Sequence, residues 1–413
     1  MPWQETCAMD ERMKFIGWHL QQEWPMAALC REFGISRKTG YKLVRRYHEE
    51  GPAGLEDRSR APRHHPHTVR AEIEAAIRAA RHAHPTWGPK KLRAWLQRQE
   101  AMIRWPAAST IGQILSRHGL CVPRRRSRKT RVYEEPFVGC QTPNAVWSAD
   151  LKGWFTTGDG IRCDPLTITD NYSRFLLRCQ AVSPADHEMI QPIFEAAFRE
   201  YGMPVAIRTD NGPPFATTTV GGLSRLSIWW LKLGIIPERI EPGKPAQNGR
   251  HERMHRTLKQ ETASPPERTW RQQQQAFNRF RREYNQERPH EAIDQQPPAS
   301  LYVPSPRPYP LRVPEMTYPD DIVVRKVCSQ GDLKWHSHQI YLSETLAGEL
   351  VGLRQTSDRL WDIYFGLIKL AQLDSHDYRL IHLPRTRKKQ KTNAKNEEKK
   401  EPRSKKVLPM YPV

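Results

Sequence analysis

Three carboxylates stand in settings that suit metal-dependent phosphate chemistry. Asp150 sits in the run from Ala145 to Lys152, a strand-like stretch with apolar neighbours. Asp210 ends the apolar run that begins at Val205, and Asn211-Gly212 follows it, a turn that would leave the carboxylate at a sheet edge. Glu252 follows Pro245, Asn248 and Gly249 near the start of a predicted helix. Carboxylates suit Mg²⁺ or Mn²⁺, hard cations that share their shell with phosphate and water. Two such ions, about 3.5–4 Å apart, can align a nucleophile and a leaving oxygen for in-line phosphoryl transfer. Asp159, Asp164, Asp170, Glu238 and Glu241 compete for such a role, and each alone reads as a surface or capping residue.

The elements around these acids alternate. Residues 145–154, 163–169 and 174–182 read as three strands joined by Gly- and Asn-rich turns. An amphipathic helix over 185–201 carries Ile190, Ile193, Phe194 and Phe198 on one face. A buried strand (205–210), a helix (223–233), a strand (235–240) and helices near 247–261 and 269–286 complete the pattern. Three antiparallel strands followed by αβαβα imply an α/β layer fold with a mixed sheet. Trp147, Trp229 and Trp230 read as core.

Trp147-Ser148-Ala149-Asp150, Thr209 to Gly212 with Phe215, and Pro245 with Asn248, Gly249, Glu252 and Arg253 resemble, in this order, the three signatures of DDE transposases and integrases. Tyr284-Asn285 and Arg288-Pro289-His290 resemble bacterial insertion-sequence members of that superfamily. The resemblance implies a retroviral-integrase-like, RNase H-like core over 136–300. It also implies Asp150, Asp210 and Glu252 as catalytic metal ligands holding two Mg²⁺ (or Mn²⁺) ions, and oligomers that pair two DNA ends. The 41 residues between Asp210 and Glu252 exceed what is usual there, and the surplus falls most naturally in 216–230, around Gly221-Gly222. The zinc-binding His/His/Cys/Cys domain of the retroviral enzymes is absent.

Asn248, Glu252, Arg256 and Lys259 form one stripe of a helix, a surface suited to holding DNA beside the ions. His251 and His255 share an i,i+4 spacing without a third ligand, which favours DNA contact or plain surface over zinc.

N-terminal to this region, the chain reads as helical. Leu29 and Phe33 mark one short helix that stops at Gly34, and Ser36 can cap another that runs to about His48. That spacing fits a helix-turn-helix domain over 1–62, with Arg37, Lys38, Thr39, Lys42, Arg45 and Arg46 placed to reach phosphates and base edges. A solvated basic hairpin would look the same. Residues 63–135 read as a second helical domain, DNA-binding or a spacer. Ser109 is a candidate cap within it, and the block Arg124 to Arg131 puts six positive charges in eight positions as a phosphate-binding strap. Residues 315–380 alternate apolar and polar and suggest a small β-barrel. The tail from 381 reads as disordered, with 11 Lys/Arg and three Glu from 384 onward.

The formal charge of +21 over 413 residues favours a polyanionic partner, double-stranded DNA first. No apolar run could span a membrane, and no signal peptide opens the chain. Seven scattered cysteines form no C-x-x-C pair, and His64, His65 and His67 fit no ligand pattern, so a reducing, cytoplasmic setting is expected. The residues thus imply a multidomain transposase or integrase that binds element ends and cleaves and joins DNA. A DNA-binding regulator on an inactive core and a structure-specific nuclease are the rival readings. Intact acids argue against the first; two N-terminal helical units argue against the second.

Overall fold

The computed structural model describes residues 7–59, 68–121, 140–151, 153–217, 219–240 and 249–382. It divides into two compact units, 1–70 and 71–413. The strap at 124–131, the three linker histidines, Glu241, Asn248 and the basic tail lie outside the described residues.

In the first unit, α1 (Ala8–Gln21), α2 (Met26–Glu32) and α3 (Arg37–Glu50) enclose Phe15, Ile16, Leu29, Cys30, Leu43 and Leu55. Gly34 turns the chain between α2 and α3 at φ +63°, and Ser36 Oγ accepts from Thr39 N at 3.2 Å, capping α3 as expected. A Cβ on Gly40 would lie 2.5 Å from Cys30 Sγ and 3.1 Å from the Phe15 ring, so only glycine lets α3 approach this closely. The helix-turn-helix is present.

The second unit opens with α4 (Ala71–Ala83), α5 (Pro89–Gln99) and α6 (Ala108–Arg117), packed on Ile77, Trp87, Leu92, Leu96, Ile111 and Ile114. Ser109 lies inside α6; Ala107 holds the cap position without a side-chain bond. This helical module is seated on the domain that follows. Arg98 donates to the carbonyls of Glu287 and Gln295, each at 2.7 Å, and His84 meets Glu283 at 3.0 Å.

The central domain comprises β1 (Val146–Leu151), β2 (Phe155–Thr156), β3 (Arg162–Asp170), β4 (Leu176–Val182), α7 (His187–Tyr201), β5 (Ala206–Thr209), α8 (Arg225–Lys232), β6 (Ile236–Arg239), α9 (Gly249–Thr262) and α10 (Trp270–Gln286). β4, β3 and β1 pair antiparallel, and β1, β5 and β6 pair parallel, giving the expected mixed sheet. The short β2 pairs with the first residues of β3. Alternate side chains separate the two faces. Trp147, Leu177, Ile207, Phe194 and Trp230 pack between the sheet and α7/α8, whereas Leu176, Cys179, Met254, Leu258 and Phe277 pack between it and α9/α10. All three tryptophans are core.

The C-terminal domain differs from the expected barrel. β7 (Val323–Lys326), β10 (Leu350–Gln355), β11 (Leu360–Phe365), β12 (Ile368–Asp374) and β13 (Arg379–His382) form an antiparallel sheet in the order β13-β12-β11-β10-β7. A separate hairpin, β8 (Asp332–Trp335) with β9 (His338–Tyr341), contributes Leu333, Trp335 and Ile340 to the same core. Among the described residues no pairing joins β13 to β7, so the sheet is open. Period-two patterning fixes which residues face inward, whereas closure depends on stagger between the end strands.

Leu223 and Ile228, from the surplus segment between the second and third acids, are buried in this C-terminal core with Leu346 and Leu370. Thr345 donates to the Leu223 carbonyl at 3.1 Å, and Lys232 pairs with Glu349 at 2.9 Å. Leu223→Ala is expected to cost about 2–5 kcal/mol. Urea unfolding would register it as a lowered midpoint, with cleavage by protease appearing first near 316–370. An unchanged midpoint would show that this seam contributes nothing to stability.

Candidate active site

The parallel register of β1 on β5 pairs Val146 with Ala206, Trp147 with Ile207 and Ser148 with Arg208. Two residues further along, Asp150 lies on β1 and Asp210 just past the end of β5. Trp147, Ala149 and Ile207 face α7 and α8, so Ser148, Asp150, Arg208 and Asp210 take the opposite face, the one covered by α9. Asp150 is half-buried on β1; Asp210, just past β5, accepts from Gly212 N at 3.3 Å. The turn after it is held by Asn211, whose amide donates to the Ile240 carbonyl at 2.8 Å.

Helix α9 is fastened to β1 and β3 by a side chain that the sequence reading placed elsewhere. His255 and His251 are both buried, at 6% and 3% exposure, so neither is the surface or DNA-facing residue expected. His255 Nε2 lies 2.7 Å from Thr167 Oγ1 and its Nδ1 lies 3.8 Å from Asp150 Oδ2. Thr167, opposite Asp150 on β3, also donates to the Asp150 carbonyl at 3.2 Å. The signal for this was present. His251, Met254, His255 and Leu258 fall at i, i+3, i+4 and i+7, the apolar stripe of the helix.

Glu252, Arg256 and Lys259 are exposed along the other side of α9, so the expected stripe exists apart from Asn248. Asp150 and Asp210 are brought to one face of the sheet and Glu252 to the helix that covers it. Among the described residues, no three Asp, Glu, His or Cys side chains converge as a ready ligand set. The donor chemistry fits a hard divalent cation, with one carboxylate on β1, one just past β5 and a third on the packed helix.

The four described competing acids have structural work. Asp159 accepts from Thr157 Oγ1 and from Trp270 N, at the start of α10. Asp164 pairs with Arg162 at 2.7 Å and Glu238 with Arg208 at 2.7 Å. Asp170 is fully buried and accepts from Asn144 N, Ser173 N and Ser173 Oγ at 2.6–2.9 Å; burial raises its carboxyl above the usual range despite those bonds.

The Tyr284 to His290 motif braces the site. Asn285 bonds both the N–H and the carbonyl of Leu176, at 2.8 and 3.0 Å, and so locks α10 to β4. Arg288 is buried, pairs with Glu261 of α9 at 2.7 Å and lies over the Trp87 ring. Tyr284 packs edge-on against His290.

On α3, Arg37, Lys38, Thr39, Lys42 and Arg45 are exposed. Arg46 is not on that face: it is buried and donates to the Glu56 carbonyl at 2.6 Å, tying α3 to the turn that follows.

Parts of the chain match integrase core and helix-turn-helix domain families. An integrase core domain model matches residues 141–245 and another of the same description matches 233–298. A helix-turn-helix domain matches 11–63 and a homeodomain-like domain 39–115. Among known proteins, the chain is 26% identical over 284 residues to the uncharacterized 31.7 kDa protein of insertion element IS407 from Burkholderia multivorans, covering 67% of this chain and 94% of that one. It is 30% identical over 188 residues to the IS476 insertion-element protein of Xanthomonas euvesicatoria, covering 44% of this chain and 51% of that one. The HTLV-2 integrase catalytic core solved with magnesium overlaps 40% of this chain and 99% of its own, at 16% identity and a TM-score of 0.31, too limited an overlap to inform the chemistry here. No described helix is long and apolar enough to cross a membrane.

Two histidines, His251 buried and His290 half-buried with an enclosed Nε2, make stability pH-dependent. Burial holds His251 down to about 4; burial first, then the Lys91 and Arg288 charges, holds His290 down to about 3. The unfolded chain takes up these protons near 6.5, so stability is full above that pH and declines as pH falls toward 4 and then 3. Between pH 6 and 4.5 each site adds a slope of up to about 1.4 kcal/mol per pH unit. His290→Gln is expected to flatten the fall in urea midpoint across that range; an equally steep fall would remove His290 as a cause.

Proposed function

We propose that the chain is a DNA transposase or integrase that binds the ends of its element and catalyses Mg²⁺-dependent cleavage and strand transfer. The observation that supports this reading is the parallel β1–β5 register, which runs toward Asp150 on β1 and Asp210 just past β5, on the sheet face covered by the helix bearing Glu252. The domains divide as 1–62 and 63–135 for DNA binding, 136–300 for chemistry, 315–380 as a β module and 381–413 as a basic tail.

Asp150, Asp210 and Glu252 would hold the divalent ions, two in number, which would supply activation of the attacking oxygen and stabilisation of the leaving one. Asp150 is positioned by β1, by its carbonyl bond to Thr167 and by His255; Asp210 is positioned by the Asn211–Ile240 tie. Arg256 and Lys259 place cations one and two turns beyond Glu252, where a DNA end lying over the acids would be held by its phosphates. Arg37, Lys38, Thr39, Lys42 and Arg45 offer α3 as the major-groove helix. Pairing two ends calls for a homo-oligomer on DNA.

Asp150→Asn, Asp210→Asn or Glu252→Gln should each lower strand transfer on the order of a thousandfold or more, equivalent to several kcal/mol of barrier, while end binding persists. Strand transfer assays beside gel-shift titration decide this. Undiminished transfer by all three variants would dismiss the site. Binding with no transfer by the unaltered chain would favour the regulator reading.

Arg256→Ala with Lys259→Ala should weaken DNA binding and reduce the log–log salt slope by about 2. Metal affinity measured by calorimetry should be unaffected. A full-size slope alongside lost transfer would mean that these residues shape the site without contacting DNA.

A further inference from the structure

The seam between the helical module and the central domain gathers more positive charge than its acids balance. Lys91, at the start of α5, lies within electrostatic reach of Arg288 and Arg253 and of the acids Glu261 and Glu291. Glu261 is already bonded to Arg288, and Glu291 to Lys90 at 3.1 Å. Lys91 Nζ has no hydrogen-bond or ion-pair partner among the described residues, although the side chain is half-buried. Beside it, His290 Nε2 is buried without a partner, and Arg174, within reach of His290 and Arg253 and with Asp170 as its nearby acid, has a buried donor, Nη1, without a partner. Unpartnered cations in partly buried ground are costly unless an anion completes the set.

We infer that Lys91, Arg253 and Arg174 form a phosphate-binding pocket at this seam, and that it receives one backbone phosphate of DNA running from α9 onto the helical module. Arg253 neighbours Glu252 on α9 and is exposed, so the pocket adjoins the proposed catalytic face. The helical module is fixed to the core by Arg98 and His84, so a phosphate held here would set the distance between recognition and reaction. Burial and the neighbouring Arg288 push the Lys91 ammonium down to about 8, which an incoming phosphate would reverse by restoring a counter-charge. The inference rests on the proposed DNA-joining role.

The test uses the full-length chain and a short mixed-sequence duplex. Lys91→Ala should lower the log–log salt slope by about 1, whereas Lys91→Arg keeps it. Mass spectrometry of the wild-type chain after amine acetylation should show Lys91 shielded by the duplex. Wild-type binding with Lys91 acetylated equally with and without DNA overturns the inference and leaves the proposed function standing; no wild-type binding at all overturns that function first. A lowered melting temperature for Lys91→Ala with an unchanged salt slope would make Lys91 a strut of the seam and overturn the pocket. Shielding by inorganic phosphate with none by duplex would make it a site for free phosphate and overturn the DNA assignment.

Discussion

Parallel pairing of β1 with β5 is the constraint on which the site depends. A one-residue slip would turn Asp150 or Asp210 into the hydrophobic layer beneath α7 and α8. Trp147 and Ile207, paired across the two strands and fully buried, make that slip prohibitive, because each would be expelled onto the polar face. The tryptophan that precedes the first acid therefore holds the register that gives the acid its neighbour. Burial on one face fixes which side chains the other face presents.

The second dependency is the placement of α9. Its apolar side is short and mixed, with Met254 and Leu258 flanked by His251 and His255. The Thr167–His255 bond supplies direction where hydrophobic contact alone would allow the helix to rotate. Beyond α9, Arg288 and Asn285 carry the restraint through α10 to β4. The motif after the third acid thus acts as scaffold, holding by side-chain bonds what the sheet holds by backbone.

Much of this could be read from the residues. The mixed sheet, its helices and the helix-turn-helix followed from periodicity, caps and turns, because each is a local property. That Asp150 and Asp210 belong together followed only through resemblance; in the fold, the β1–β5 register that runs toward both joins segments some sixty positions apart, which no local pattern carries. His255 was misread because its polarity was weighed above its position on the apolar stripe. Arg46 was misread for the converse reason: basic charge suggested DNA, while its burial and its bond to the Glu56 carbonyl depend on the turn after α3. The C-terminal strands were legitimate predictions, but openness of the sheet lies in pairing, not in composition.

The charge is not shared evenly. Residues 313–382 carry ten acidic and seven basic side chains in a chain of net charge +21, so the C-terminal sheet is set apart electrostatically from its neighbours. Its attachment runs through Leu223 and Ile228, which belong to the interval between the second and third acids yet lie in its hydrophobic core. That interval and the sheet are therefore one unit of exchange, although 71 residues separate the end of one from the start of the other along the chain. Shortening the interval toward the usual spacing would leave the sheet without its seat, and grafting a foreign C-terminal domain would strand two buried apolar side chains in water. Acid spacing in this protein records which domain it must carry.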